Sequence, residues 1–245
     1  QRLVMAGEVR VDGEMVHKSS TQVKEDSDIK VKQRPKYVSR GGKKLAAAIK
    51  AFDVDPSEKV CADVGASTGG FTDCLLQNGA AKVYAIDVGY GVLHWTLRQD
   101  PRVVVMERTN ARYLEALPEQ VELVTIDASF ISLALLLPAV KGWFEDKSGQ
   151  TIALIKPQFE AGRKAAAVHA GVIKDEGVHA QVLEETLASA EVLGFHPVAL
   201  IPSPITGPKG NVEFLVDLRL SVGESSLDTQ KMIENALKEA PEQRR

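Results

Sequence analysis

The sequence is poor in the residues that build disulfide frameworks and metal centres. Its 245 residues include two cysteines, Cys61 and Cys74, and five histidines. Two cysteines do not make a disulfide framework, and no two histidines are spaced to ligate a metal from one helix. We therefore expect no metal site and a location in the reducing cytoplasm.

Long apolar runs are missing as well. The longest apolar stretch includes residues 133–140 and is interrupted by Pro138, whereas a helix needs about 20 apolar residues to cross a bilayer. No signal-peptide pattern is visible. We expect no membrane association. Because the sequence begins with Gln1 and not with methionine, we also expect that an N-terminal piece is missing.

The net charge of -3 is distributed unevenly. Residues 1–50 hold 12 lysines and arginines and 6 acids, which gives +6, so the remainder carries -9. A basic N-terminal part on an acidic body suggests contact with a polyanion. An ordinary solvated surface explains the charge about as well, and the composition leaves both explanations open.

Apolar runs alternate with helix-like segments from Lys59 onwards. This alternation predicts an α/β fold with a doubly wound, mostly parallel sheet and helices on both faces. The last two strands have no clear helix between them, which predicts an antiparallel hairpin at the edge of the sheet. The predicted strands are 60–64, 82–87, 102–106, 121–126, 151–156, 197–202 and 212–219, and the predicted helices lie near 69–78, 91–98, 132–144 and 177–193.

The N-terminal part has a different pattern. Residues 1–34 predict the end of a helix and small strands, with a hairpin turn at Asp12 and Gly13. Pro35 predicts a linker over residues 35–38, because proline blocks a helix. These features separate a small N-terminal domain from the rest.

The main domain is predicted over residues 39–222. It opens with a helix from about Lys43 to Phe52, which Ser39 would cap. Residues 223–245 form a C-terminal tail, in which 225–240 predicts one amphipathic helix. Its apolar face would hold Met232, Ile233, Ala236 and Leu237.

The stretch CADVGASTGGFT joins the first strand of the main domain to a helix. Asp63 ends the strand, Gly65 permits a tight turn and a close approach of a ligand, and Gly69 and Gly70 let the helix start near the sheet. In an open parallel sheet, ligands lie beyond the carboxyl ends of the strands. Asp87 ends the next strand, where a carboxylate can accept hydrogen bonds from a ribose diol.

The glycine spacing excludes two common ligands. It contains neither G-x-G-x-x-G nor a Gly-Lys-Ser/Thr sequence, so it offers no cradle for a pyrophosphate or a triphosphate. An acid beside the turn suits a positively charged amino group, and S-adenosylmethionine combines an ammonium, a sulfonium and a ribose. We predict this cofactor; a glycine-rich turn without a ligand is the alternative. Asn110 is predicted to contact adenine, although on its own it is better explained as a turn residue. The predicted cofactor-binding residues are Asp63, Gly65, Ala66, Ser67, Gly69, Gly70, Phe71, Asp87, Asn110 and Asp127.

Four further segments fall at strand ends or loops that face the same edge of the sheet. They are SRGGKKL (39–45), TIDASFIS (125–132), LIKPQFE (154–160) and SPITGPKGNVEFL (203–215). With these motifs the chain resembles the TlyA family from about Gln1 to Leu220. The resemblance implies an S4-like RNA-binding domain, partial here and spanning 1–34, joined to an FtsJ-like methyltransferase domain. It also implies methylation of ribose 2′-hydroxyl groups in ribosomal RNA by S-adenosylmethionine.

The resemblance implies a catalytic set of Lys44, Asp127, Lys156 and Glu213. A ribose hydroxyl is a poor nucleophile and needs a base. A lysine amine acts as a base only when neutral, a form that burial and a second cation favour and a carboxylate opposes. We assign Lys156 as the base, with Lys44 and Glu213 orienting it and the ribose, and with Asp127 positioning the methyl donor. Lys43 is the neighbour that competes with Lys44 for this assignment.

Each catalytic residue also has a plain structural explanation. A lysine at a strand end is usually a surface charge, and Glu213 would be an outward residue of an edge strand. Asp127 or Ser129 would cap the helix that starts near Ile131. The four residues in one order along one sheet edge favour the catalytic interpretation. Residues 162–175 predict a loop that either closes over RNA or simply connects two elements.

The implied partner is ribosomal RNA or a ribosomal subunit. The basic residues predicted to contact its phosphates, which position a substrate without reading its sequence, are Arg2, Arg10, Lys18, Lys36 and Arg40. Two other functions stay open: a non-catalytic S4-type RNA-binding or ribosome-assembly factor, and a membrane-active hemolysin, a label that the family often carries. A strand end without an Asn/Asp-Pro-Pro-aromatic motif argues against amino-group methylation of a base.

Overall fold

The computed structural model describes residues 1–32, 35–145, 148–161, 172–207, 209–220 and 228–240. The chain forms two compact units, Gln1–Lys36 and Tyr37–Arg245. The boundary between them falls within residues 35–38. The predicted domain boundary after residue 222 and most of the predicted loop over 162–175 lie outside the described residues.

The first unit contains a short helix and a small antiparallel sheet. Strand β1 is central, and the sheet order is β2-β1-β3. Asp12 and Gly13 both have positive φ angles of 54° and 87°, as a tight hairpin turn requires. The elements of this unit are α1 (Arg2–Met5), β1 (Val9–Val11), β2 (Glu14–Met15) and β3 (Ile29–Val31). The S4-like identity of this unit stays a prediction.

The second unit is built on a seven-stranded sheet. Its order is β6-β5-β4-β7-β8-β10-β9, in which the first five strands are parallel. Strand β10 runs antiparallel to both of its neighbours, so the predicted edge hairpin is present. The strands are β4 (Val60–Val64), β5 (Lys82–Ile86), β6 (Val103–Met106), β7 (Leu123–Ile126), β8 (Gly149–Ile155), β9 (Phe195–Pro202) and β10 (Phe214–Leu220).

Helices cover both faces of this sheet, because the strands carry apolar side chains on both faces. One core packs strand residues such as Ala62 and Ile86 with helices α5, α7 and α8. The other core packs Cys61, Val83 and their neighbours with α2, α3 and α4. The helices are α2 (Gly41–Ala51), α3 (Gly70–Gln77), α4 (Trp95–Arg98), α5 (Leu133–Lys141), α6 (Pro157–Glu160), α7 (Glu176–Val192) and α8 (Thr229–Glu239). The predicted doubly wound α/β fold is confirmed.

Several predicted element ends are wrong. The helix predicted over 91–98 is limited to α4, which His94 caps by accepting a hydrogen bond from the Thr96 amide. Ser39 does not cap α2, since the N-cap position is Arg40 and its side chain makes no capping hydrogen bond. The predicted C-terminal helix is present as α8, and it buries Ile233 and Ala236 as predicted.

In the part of the chain that the structure describes, no helix is both long enough and apolar enough to span a bilayer. Within those residues no group of three or more histidine, cysteine or acidic side chains is placed to hold a metal ion. Cys61 and Cys74 are both thiols, not disulfide-bonded, and both lie buried in the core. Burial raises the pKa of the Cys61 thiol to about 12, so it stays protonated and unreactive at neutral pH.

Candidate active site

A cavity of about 1120 Å³ opens at the carboxyl ends of the parallel strands. Its wall comes from five segments, which lie within 39–44, 65–71, 127–130, 156–159 and 205–213. They include the N-terminal end of α2, the glycine turn after β4, the ends of β7 and β8, and the loop before β10. The volume is at or above the upper end of the range for pockets that hold one small ligand.

Lys44 and Glu213 form one buried ion pair in the wall of this cavity. Lys44 lies on the buried face of α2, and Glu213 directly precedes β10. The Lys44 ammonium donates to a Glu213 carboxylate oxygen at 2.5 Å, and the side chains are 9% and 2% exposed. Removing one partner of such a pair leaves an uncompensated buried charge.

Lys156 and Asp127 form a second ion pair in the same wall. Lys156 follows β8 and Asp127 follows β7. The amine lies 2.6 Å from an Asp127 carboxylate oxygen and donates to the Ser129 hydroxyl at 2.9 Å. The alternative that Asp127 or Ser129 caps the next helix is wrong, because Ser132 caps α5 by accepting from the Ala134 amide. The four predicted catalytic residues therefore line one cavity as two ion pairs.

The register of the sheet explains how the two pairs meet. Strand β10 is antiparallel to β8, with Phe214 opposite Ile155. Glu213 precedes β10 and Lys156 follows β8, so both reach the same end of the sheet. An antiparallel strand beside a parallel one brings residues far apart in sequence to one edge.

The glycine turn approaches its neighbours too closely for side chains. Gly65 has a φ angle of 81°, and a Cβ there would lie 2.8 Å from the Asp127 carbonyl oxygen. Gly69 has a φ angle of 95°, and a Cβ there would collide with Leu97 of α4. A Cβ at Gly70 would lie 2.2 Å from the Ser39 hydroxyl. Gly69 and Gly70 thus let α3 pack closely against α4 and α2, in addition to starting near the sheet.

Asp63 does not line the cavity. Its side chain is fully buried, and its carboxylate accepts hydrogen bonds from the Thr72 amide and hydroxyl and from the Thr125 hydroxyl. Burial raises the pKa of Asp63 to about 7, against the opposing effect of the Thr72 hydroxyl. The structure places this carboxylate under the turn, where it ties α3 to the sheet, and not against a ligand ammonium.

Asp87 and Asn110 lie on the β5–β6 side of the site. The Asp87 carboxylate accepts hydrogen bonds from the backbone amides of Ser67 and Gly89 at 2.8 and 2.7 Å, so it links the glycine turn to the end of β5. Asn110 is exposed and accepts from the Arg112 amide, as a cap of the 3-10 turn Ala111–Tyr113. The explanation of Asn110 as a turn residue describes its contacts in the structure.

Two non-glycine residues of the cavity wall have left-handed backbones. Ser67 and Phe130 have φ angles of 49° and 66°, and such conformations persist where the surroundings enforce them, often at functional sites. Phe130 is 88% exposed, and its ring lies 4.7 Å from the ring of Phe159. Sequence reasoning quoted both phenylalanines within motifs but gave them no function, because an exposed aromatic ring has no signature in a single sequence.

The residues predicted to contact RNA are all exposed. Arg40 belongs to the second unit and lines the cavity. The other four belong to the first unit, and they are Arg2, Arg10, Lys18 and Lys36. Their contact with RNA stays a prediction.

Comparison with known proteins gives three results. The profile of the FtsJ-like methyltransferase family matches residues 37–220. A Mycobacterium tuberculosis protein named 16S/23S rRNA (cytidine-2′-O)-methyltransferase TlyA is 43% identical over 245 residues, which cover 98% of this chain and 91% of the relative. A solved structure of a Streptococcus thermophilus protein, provisionally described as a hemolysin, has a TM-score of 0.77 at 42% identity and covers 97% of this chain and 89% of that chain.

A more distant solved structure shows the fold alone. It is a Listeria monocytogenes protein, provisionally described as an S-adenosylmethionine-dependent methyltransferase. It is 16% identical with a TM-score of 0.56, and the match covers 75% of this chain and 100% of that chain.

Proposed function

The chain belongs to the FtsJ-like methyltransferase family and to its TlyA members, and from this premise we propose that it methylates a ribose 2′-hydroxyl group of ribosomal RNA with S-adenosylmethionine. The observation that carries the proposal is the gathering of Lys44, Asp127, Lys156 and Glu213 around one cavity. They come from separate parts of the chain, and two of the four side chains are lysines less than 10% exposed. Buried lysines are rare unless they are paired or functional.

The cavity wall fits the cofactor. The Gly65 turn lines the cavity, and Asp127 presents a side chain that is 21% exposed. Asp87 stands one strand away, at the end where a ribose diol would lie. When bound, S-adenosylmethionine supplies a methyl group on a sulfonium sulfur; the O–C bond forms as the C–S bond breaks, and the hydroxyl proton leaves.

Lys156 is the proposed acceptor of that proton. Its amine is held at the end of β8 by Asp127 and Ser129, so its position is fixed before the substrate arrives. A lysine amine accepts a proton only when the amine is neutral, and the approach of a second cation favours the neutral form. Lys44 and Glu213, the other ion pair of the cavity wall, orient the ribose. The main contribution of these residues is to hold the reacting atoms in line.

Substitution of Lys156 by alanine and by arginine tests this role. Arginine keeps the charge beside Asp127 but does not give up its proton in proteins. We expect both variants to lose methyl transfer by about a hundredfold or more and to bind S-adenosylmethionine as the wild type does. The measurements are methyl transfer from labelled cofactor to ribosomal RNA and calorimetry of cofactor binding.

Lys43→Ala is the matched control, because Lys43 is exposed on the same helix that carries the buried Lys44. It should keep full activity. Full activity in Lys156→Arg would overturn the role as base, although not the methyl transfer itself. If the wild type bound no cofactor with or without RNA, a non-catalytic RNA-binding factor would be the better description.

The location and the partner follow from the same proposal. Ribosomal RNA and the ribosomal subunits are in the cytoplasm, and we propose that the protein acts there. Mapping of 2′-O-methylation on ribosomal RNA from cells with and without the protein would identify the nucleotide. Leakage from phospholipid vesicles tests the hemolysin alternative, and we expect no leakage.

A further inference from the structure

The side chain of Gln158 is a polar group of the cavity wall that the two ion pairs do not use. It is about nine-tenths buried and lines the cavity. Its amide oxygen is buried and has no hydrogen-bond partner among the described residues. A buried acceptor without a donor is destabilising, so an apolar residue would be the more stable choice at this position unless a ligand supplies the donor.

The backbone that carries Gln158 is held at both ends. Lys156 precedes it and is fixed by Asp127 and Ser129. Glu160 follows it, and the Glu160 carboxylate accepts a hydrogen bond from the Leu133 amide at the start of α5. Gln158 therefore stands on a rigid turn, which is the kind of support that precise recognition needs.

Gln158 lies on the nucleotide side of the cavity. The glycine turn that would hold the cofactor follows β4, whereas Gln158 follows β8, and β7 lies between these two strands. Two strand spacings place the ends of β4 and β8 roughly 10 Å apart. The strand that separates them ends at Asp127, beside which the methyl group would be transferred. A group beyond Asp127 faces the acceptor of the methyl group.

We propose that Gln158 binds the base of the target nucleotide and selects a base with an amino group beside a ring nitrogen, which is the edge of cytosine or adenine. The amide oxygen accepts from the amino group, and the amide nitrogen donates to the ring nitrogen, as amide side chains do with adenine. Uracil presents these groups in the reverse order, a carbonyl oxygen beside a ring N–H, so with the amide oriented as in the structure acceptor faces acceptor and donor faces donor. This inference rests on the proposed function and adds to it a residue that determines specificity.

Nucleotide binding tests the inference without relying on methylation. The probes are cytidine 5′-monophosphate and uridine 5′-monophosphate, titrated by NMR into the full chain saturated with S-adenosylhomocysteine. We expect the wild type to bind the cytidine nucleotide at least several-fold more tightly. Gln158→Leu, of similar size, should remove the difference, and Gln158→Glu, which keeps an acceptor, should retain a preference for cytidine.

Methylation of an RNA that carries either cytidine or uridine at the mapped nucleotide provides the second measurement. Gln158→Leu should narrow the ratio of kcat/KM for the two RNAs from roughly tenfold or more towards one. Gln181→Leu, an exposed glutamine on α7, is the control. Equal binding of the two nucleotides by the wild type, or an unchanged preference in Gln158→Leu, would overturn the inference. Loss of methylation in the wild type would instead count against the proposed function.

Discussion

The carboxyl group of Asp63 is fully buried beneath the glycine turn, between Thr72 of α3 and Thr125 of β7. Burial raises its pKa from 3.8 to about 7, so the folded protein binds this proton more tightly than the unfolded chain does. The stability that this group contributes is therefore present below about pH 4 and is lost as the pH rises towards 7 and above.

Asp63→Asn should make the stability less dependent on pH. The amide keeps an acceptor for Thr72 and presents a donor to Thr125, but it has no charge to bury. We expect the wild type to lose up to about 4 kcal/mol of unfolding free energy from this group between pH 4 and pH 8, and the variant to lose less. Urea unfolding at several pH values measures this, with the exposed Asp53→Asn as control. Parallel pH curves for Asp63→Asn and the wild type would contradict the assignment.

The sequence predicts which residues belong to the site better than it predicts where their side chains point. Lys44, Asp127, Lys156 and Glu213 stand out because each sits in a motif at the end of an element. The spacing of Asp63 is that of a ligand-binding acid, yet its oxygens are directed to protein donors. Gln158 gives no signal at all, because only the packing around it shows that its amide is buried and without a partner.

At the scale of elements, the close approach of α2 and α3 positions Lys44 over the site. Gly70 opens α3 and leaves room for Ser39 and for the Gly42 amide, which would lie 2.2 and 2.9 Å from a Cβ. Gly70→Ala would force these helices apart. We expect a loss of about 1–3 kcal/mol of unfolding free energy and a larger loss of methyl transfer than of cofactor binding.

Gly41→Ala is the matched control on α2. The nearest atom to a Cβ there is the Ser39 hydroxyl at 3.4 Å, an ordinary contact. Its effect on stability should be small, because alanine also has the higher helix propensity. Chemical denaturation of both variants measures the difference. Equal stabilities of Gly70→Ala and the wild type would show that the helices can separate without cost.

Strands are predicted better than helices in this chain, for a physical reason. Strands of a buried parallel sheet are short apolar runs, which are visible along the sequence. The predicted helix over 91–98 shortens to Trp95–Arg98 because the residues before it form a loop, and Leu93 of this loop and Leu97 of the helix both lie against Gly69. The place of β10 between β8 and β9 depends on contacts between distant segments, which no local pattern encodes.

At the scale of the whole molecule, the first unit carries a net charge of +2, from 8 basic and 6 acidic residues, and the second a net charge of -5, from 22 basic and 27 acidic residues. We expect the double variant Arg10→Gln and Lys18→Gln, both exposed, to weaken RNA binding and to lower its dependence on salt. The slope of log affinity against log salt should fall by roughly 0.7–0.9 per lost phosphate contact. Cofactor binding should not change.

Fluorescence titration with ribosomal RNA fragments at several salt concentrations measures this effect. Lys238→Gln, an exposed lysine of α8, is the control and should leave the slope unchanged. An unchanged slope in the double variant would mean that these two charges do not contact phosphates. Of the two explanations for the basic N-terminal charge, a solvated surface would then be favoured over contact with a polyanion.

The active site is complete only after β10 has inserted between β8 and β9. Lys44 is made early, but its partner Glu213 lies 169 residues further along the chain. During translation the Lys44 amine cannot pair with the Glu213 carboxylate until the segment that directly precedes β10 has left the ribosome. A nascent chain is therefore expected to stay inert throughout its synthesis, and a chain that stops before β10 to remain so permanently.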